Sequence, residues 1–266
     1  MFAEEMLSLL LRPKEPASQY TELNVSRILK TLHTLELRIL ERFPGSGISQ
    51  VCAELRLVGA EVEQLIERMR QPIWIVRIVV FSGIAALLAL VIFTVRWSMQ
   101  ISAEVSGITE LIQSLESAIN EIIFLAIAIF FLGSLETRIK RYIALRTLHR
   151  LRSIAHVIDM HQLTKDPVHM LGAAPSKVYD PKRFESAFEL NRYLDYCSEL
   201  LSITSKLAAI QAQYLNDSVV LNAVNDIENL SGGLSNKIWQ KIMMLDMLTL
   251  EEEGEREGGR EGEIVG

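Results

Sequence analysis

Ile73-Trp-Ile-Val-Arg-Ile-Val-Val-Phe-Ser-Gly-Ile-Ala-Ala-Leu-Leu-Ala-Leu-Val-Ile-Phe-Thr-Val95 is a run of 23 residues in which Arg77 carries the only charge, leaving 18 uncharged positions from Ile78 to Val95. As a helix rising about 1.5 Å per residue it reaches ~34 Å, enough to cross a hydrocarbon core of roughly 30 Å. Trp74 and Trp97 flank it, where interfacial rings are expected, and Arg77 lies one turn inside, close enough to snorkel. Pro72 suits the first turn of a helix. The stretch predicts a transmembrane helix, and the rest of the chain is read outward from it.

Downstream, Ile122 to Leu135 gives 14 apolar or small residues between Glu121 and Glu136, short for a span. Extended back to Leu115 it becomes long enough, with Glu116 and Glu121 near one end, in the headgroup region or lining a contact between subunits. Residues 97–137 hold no Lys or Arg but include Glu104, Glu110, Glu116, Glu121 and Glu136. After them come Arg138, Lys140, Arg141, Arg146, Arg150 and Arg152 with no acid among them, and Arg68 and Arg70 precede the first span. This asymmetry predicts a second crossing, both termini in the cytoplasm of a bacterial-type inner membrane, and a short acidic connection outside. Arg96 alone dissents. The start, Met1 to Arg12, has an acidic front and too short an apolar run for a signal peptide, so the first span is expected to direct its own insertion.

On either side the periodicity is helical. Val25, Ile28, Leu32, Leu35 and Ile39 mark one apolar face within 21–43, and Pro44-Gly-Ser-Gly47 turns the chain. Ile48, Val51, Leu55, Val58, Val62, Leu65 and Met69 then alternate steps of three and four, a heptad seam suited to a helical hairpin or short coiled coil. After the second span the helix is expected to continue through Ile139, Ile143, Leu148, Leu151 and Ile154 and to stop at Thr164-Lys-Asp-Pro167. Residues 168–180 read as a loop. Pro181 is expected to open a long helix with two adjacent stripes, Leu190, Leu194, Cys197, Leu201, Thr204, Ala208, Gln211 and Leu215 beside Tyr193, Tyr196, Leu200, Ile203, Leu207, Ile210 and Tyr214, as for a helix inside a bundle. Asn216-Asp217 opens a further helix, Ser231-Gly-Gly233 is expected to break it, and 234–250 forms the last, with Trp239 packed in the bundle. Residues 251–266 carry seven Glu against Arg256 and Arg260, with five Gly, and predict disorder. They also account for most of the net charge of -6, since the remaining 250 residues come to -1.

Reactive side chains are densest where four of the five histidines fall within 149–169: His149, His156, Asp159, His161, Asp166 and His169. On a helix His149, His156 and Asp159 share a face able to offer imidazole and carboxylate to a divalent metal, or to pair a base with its orienting acid. His161 points elsewhere, and neither H-E-x-x-H nor H-x-H is present. The bland alternative is that Asp159 and the histidines hydrogen-bond to a neighbouring helix or loop and fix the bundle. The basic run from Arg138 to Arg152 suits orientation and contact with anionic headgroups; with Tyr142 its only aromatic it does not suit nucleic acid. The acidic tail is a second candidate to bind that run. Ser82/Ala86 and Ala85/Ala89 are small-xxx-small pairs that permit close helix approach. Arg77 and Glu121 lie at opposite ends of the hairpin and are not natural partners. Cys52 and Cys197 form no CxxC pair and sit on or beside apolar seams, which excludes a disulfide-stapled scaffold and a four-cysteine zinc site. There is no phosphate loop and no nucleophile elbow.

With 266 residues, 49% of them hydrophobic, the expected fold class is an all-α membrane protein: a two-helix transmembrane hairpin with a cytoplasmic helical bundle. Residues 1–71 form an N-terminal cytoplasmic helical hairpin, 72–137 the transmembrane hairpin with spans at about 73–95 and 115–135, 138–250 a C-terminal cytoplasmic bundle, and 251–266 the tail. The expected role is a scaffold, adaptor or complex subunit without catalytic residues, cofactor or metal. Its expected partners are membrane lipids and either a second copy or another membrane protein. A homo-oligomeric channel and a metal-dependent enzyme on the His149/His156/Asp159 face are the alternatives.

Overall fold

The computed structural model describes residues 22–71, 73–101, 108–163, 165 and 186–264, and among these every regular element is an α-helix. They are α1 (Val25–Arg42), α2 (Gly47–Arg70), α3 (Trp74–Ile101), α4 (Ile108–Gly133), α5 (Leu135–Leu163), α6 (Ala187–Tyr214) and α7 (Ser218–Ile264). The chain divides into two compact units, one drawing on residues 1–66 and 144–266, the other on 67–143. The expectations placed on 1–21, Pro72, the connection at 102–107, Thr164, Asp166, Pro167, the loop at 168–180 and Pro181 lie outside the described residues.

The first unit is a helical bundle. Asn24 caps α1, its side chain accepting the Arg27 amide at 3.2 Å. Gly45, at φ +66°, makes the turn to α2, and Ser46 closes it by donating from its hydroxyl to the Phe43 carbonyl at 2.7 Å. All seven positions of the α2 seam are buried, as are Ile28, Leu32, Leu35 and Ile39 of α1. Gly59 lets the helices come together, because a Cβ there would lie 2.6 Å from Leu29 Cδ2 and 3.5 Å from Leu207 Cδ1 of α6. α6 is the central helix: both of its stripes are buried, Tyr214 excepted, so it is covered over a wide arc. It packs against α1 and α7. Arg38 of α1 reaches Glu199 of α6 at 2.9 Å, and Phe43 sets its ring edge-on to Tyr193 and Tyr196. Arg150 of α5 pairs with Glu54 and Glu61 of α2.

One expectation about the course of α7 fails. The helix opens where expected, with Asp217 accepting the Val219 and Val220 amides, but it does not break at Ser231-Gly232-Gly233. The two glycines face solvent with nothing near them, and each costs about 1 kcal/mol relative to alanine. Flanking them, Ile227, Ser231, Leu234 and Ile238 are buried on the core side, and burying one such aliphatic chain offsets roughly 2 kcal/mol. Packing outweighs propensity here. The backbone assignment of α7 runs on to residue 264.

The second unit contains α3 and α4, packed antiparallel, and both apolar stretches are long and apolar enough to cross a membrane. Their bulky side chains point outward, Phe81 at 70%, Phe124 at 72% and Phe130 at 76% exposure. The seam between them is narrow. On α3 it follows Val76, Val80, Gly83, Leu87 and Val91, and on α4 Glu121, Leu125, Ala128 and Leu132. A Cβ on Gly83 would lie 2.8 Å from Leu132 Cδ2, so Gly83 is the close-approach residue. Ser82, Ala85, Ala86 and Ala89 stay exposed, and the small-xxx-small pairs are not the contact within this hairpin.

Candidate functional site

α5 carries most of the residues that the sequence singles out. Its buried face, with Leu148, Leu151, Ile154, Ala155 and Ile158, is fixed by the bundle, and this sets where the polar ones point. His149 and His156 are exposed. Asp159 accepts from Gln162 Nε2 at 2.6 Å within the same helix, and His161 lies against Gly47 at the start of α2. The shared face of His149, His156 and Asp159 therefore looks outward, and Asp166 and His169 lie outside the described residues. Among the described residues no three His, Cys, Asp or Glu come close enough to hold a metal ion. Hydrogen bonding to a neighbouring element, the structural alternative, is realised next door instead. Gln162 is buried, and its backbone carbonyl accepts Lys241 Nζ of α7 at 2.8 Å. Lys241 also reaches the Lys165 carbonyl at 3.4 Å, so a lysine from another helix closes the C-terminus of α5.

Not all of the basic run faces outward. Lys140 and Arg150 are turned inward to carboxylates, whereas Arg138, Arg146 and Arg152 remain exposed. Arg138 donates to Ser134 Oγ at 3.1 Å and lies 4.9 Å over the Phe131 ring. Lys140 belongs to the best-formed polar cluster, which the sequence reading missed. Glu136 accepts Lys140 Nζ at 2.9 Å, Arg77 Nε at 3.1 Å and the Ile73 amide at 3.4 Å. Lys140 further donates to the Met69 and Gln71 carbonyls at the C-terminal end of α2. Lys140 first, then Arg77 and the Ile73 amide, hold the Glu136 carboxyl below the usual carboxylate range. Glu136 thus sits at the basic end of the hairpin, just past the second apolar stretch. The signal was available: Glu136 and Lys140 are one helical turn apart, and Arg77 is the one charge of its run.

No family model, curated protein or solved structure matches this chain.

A second polar contact joins the hairpin further along, where Thr94 Oγ1 donates to Glu121 at 2.8 Å. Arg77 meets Glu136 instead, and is not the partner of Glu121. From Arg77 to Thr94 the helix rises about 25 Å, and only apolar contacts lie between the two polar ones. The cysteines are in the core. Cys52 and Cys197 are buried free thiols, pushed up to about 12 chiefly by that burial, which is the setting of inert core residues and not of nucleophiles.

Proposed function

We propose that this chain is an integral membrane protein whose α3–α4 hairpin crosses the bilayer twice, with both termini in the cytoplasm of a bacterial-type inner membrane. We infer that it serves as a scaffold, adaptor or complex subunit without catalytic activity. The observation that carries this reading is the outward display of large apolar side chains along both helices of the hairpin, a surface that water disfavours and acyl chains suit. Two further features support it. The bundle is assembled from chain on both sides of the hairpin, which requires an even number of crossings. The polar contacts at Arg77–Glu136 and Thr94–Glu121 are about 25 Å apart, a little less than a hydrocarbon core of roughly 30 Å. Arg138, Arg146 and Arg152 are the residues offered to anionic headgroups.

Cysteine labelling in intact bacterial spheroplasts tests the topology. An impermeant maleimide should reach Ile108→Cys and not Pro175→Cys. Labelling at both positions would show that the second stretch does not cross, and labelling at neither that the hairpin does not reach the far side.

Glu121 favours a second reading, a homo-oligomeric channel. A carboxyl hydrogen-bonded to Thr94 inside an otherwise apolar stretch is the kind of group that lines an ion path when several copies surround an axis. Proteoliposomes should then pass ions at a rate that Glu121→Gln changes; no flux in either protein removes the channel and leaves the scaffold.

A further inference from the structure

α7 has a face that no other described residue covers. Ile238, Ile242 and Leu245 are buried, while Trp239 (61% exposed), Met243 (51%), Met247 (60%) and Leu250 (67%) lie on the opposite side at steps of four, four and three. That is a single helical stripe, and the expectation that Trp239 packs into the bundle is wrong for this reason. We propose that this stripe binds the same stripe of a second copy, antiparallel, about a twofold axis level with Leu245.

Size, order and charge support that occupant. The four side chains leave on the order of 500 Å² of apolar surface open, so two copies would cover roughly 1,000 Å², the threshold for a specific interface. In the antiparallel register Trp239 comes opposite Leu250 of the second copy and Met243 opposite its Met247, a large ring against a branched chain and two adaptable thioethers against each other. A parallel pairing would instead lay the two segments 251–266, each of net charge -5, side by side. Their repulsion selects the antiparallel arrangement.

The inference rests on the assembly reading above and assigns it a surface. The test uses the full-length protein in detergent micelles, with mass read by sedimentation and register by disulfide trapping. Cys52 and Cys197 are buried and do not compete for oxidant. The parent should be a dimer, and Met243→Glu or Met247→Glu should weaken it about a hundredfold or more. Helical circular dichroism should not change, because both positions are exposed, and Leu221→Glu, exposed on the same helix beyond the stripe, should leave the dimer intact. Copies carrying Trp239→Cys mixed with copies carrying Leu250→Cys should give the mixed disulfide in preference to either self-disulfide. A preference for self-disulfides would overturn the antiparallel register. An oligomer unmoved by Met243→Glu would overturn the stripe as its interface while the assembly reading stands. A monomeric parent would overturn the self-association proposed here and leave a subunit that assembles with a different protein.

Discussion

Replacing Glu136 by glutamine keeps the shape of the side chain and one acceptor for the Ile73 amide but removes the charge that Lys140 and Arg77 share. Glu136 and Lys140 are 19% and 17% exposed, so their 2.9 Å contact is sheltered and is worth about 1–2 kcal/mol. Arg77 is 49% exposed, and water reduces its share to about 0.5 kcal/mol. Glu136→Gln should therefore weaken the joint of α2, α3 and α5 by about 2 kcal/mol, of which the α3 share, about 0.5 kcal/mol, raises hydrogen exchange at the Arg77 amide, bonded to the Ile73 carbonyl, roughly twofold. Acid provides an independent arm. The folded carboxyl lies below its ordinary value of 4.5, so the unfolded state takes up the proton more readily. The stability that Glu136 contributes is thus complete above the ordinary carboxylate range and is lost as pH falls through the folded value. The parent hairpin should lose that increment as pH falls below the ordinary carboxylate range, and the glutamine variant should not. Exchange that is unchanged by the substitution would refute the reasoning. So would an equal cost of Glu136→Gln in a Lys140→Gln background, since the pair would then not be its source.

Three other substitutions or treatments probe separate parts of the molecule. Gly59→Val should cost about 3 kcal/mol in thermal unfolding, because two methyl groups meet Leu29 and Leu207, whereas Gly59→Ala needs only the tip of Leu29 to move and regains helix propensity; a tolerated valine would mean that α1 and α2 are not so close. Native Cys52 and Cys197 should resist maleimide at pH 8 and react once the chain is denatured, as counted by mass spectrometry; rapid labelling of the folded protein would contradict their burial. His149→Ala and His156→Ala should change stability by no more than about 0.5 kcal/mol, and metal analysis should find no stoichiometric ion that either substitution removes.

Much of the bundle is legible in the sequence because its burial follows single-helix periodicity. The seven seam positions of α2 and the double stripe of α6 are read one helix at a time, and each is buried as the spacing requires. What could not be read depends on a second helix. The glycine pair at 232–233 looks like a stop until Leu234 and Ile238 are known to have a core to enter. Trp239 looks like packing until its neighbour Ile238 is seen to occupy the inward direction. Among the site residues, His149, His156 and Asp159 do share a face as the spacing requires, but no periodicity says that the face is turned outward. Glu136 is instructive, since linear charge counting lists it with the acids that precede it and names no partner, while Arg77 is 59 residues away in sequence.

Arg38 and Glu199, which join α1 to the central helix of the bundle, are 161 residues apart. At a synthesis rate of about 5–20 residues per second, α1 and α2 leave the ribosome roughly 8–30 s before α6 exists to cover them. During that interval Leu32, Leu35, Leu55 and Val58 have only each other to pack against, while the most apolar part of the chain is being made and delivered. The order of translation therefore leaves a half-finished, adhesive helical pair waiting, and growth conditions that slow elongation should lower the yield of this protein more than that of one whose core is local in sequence.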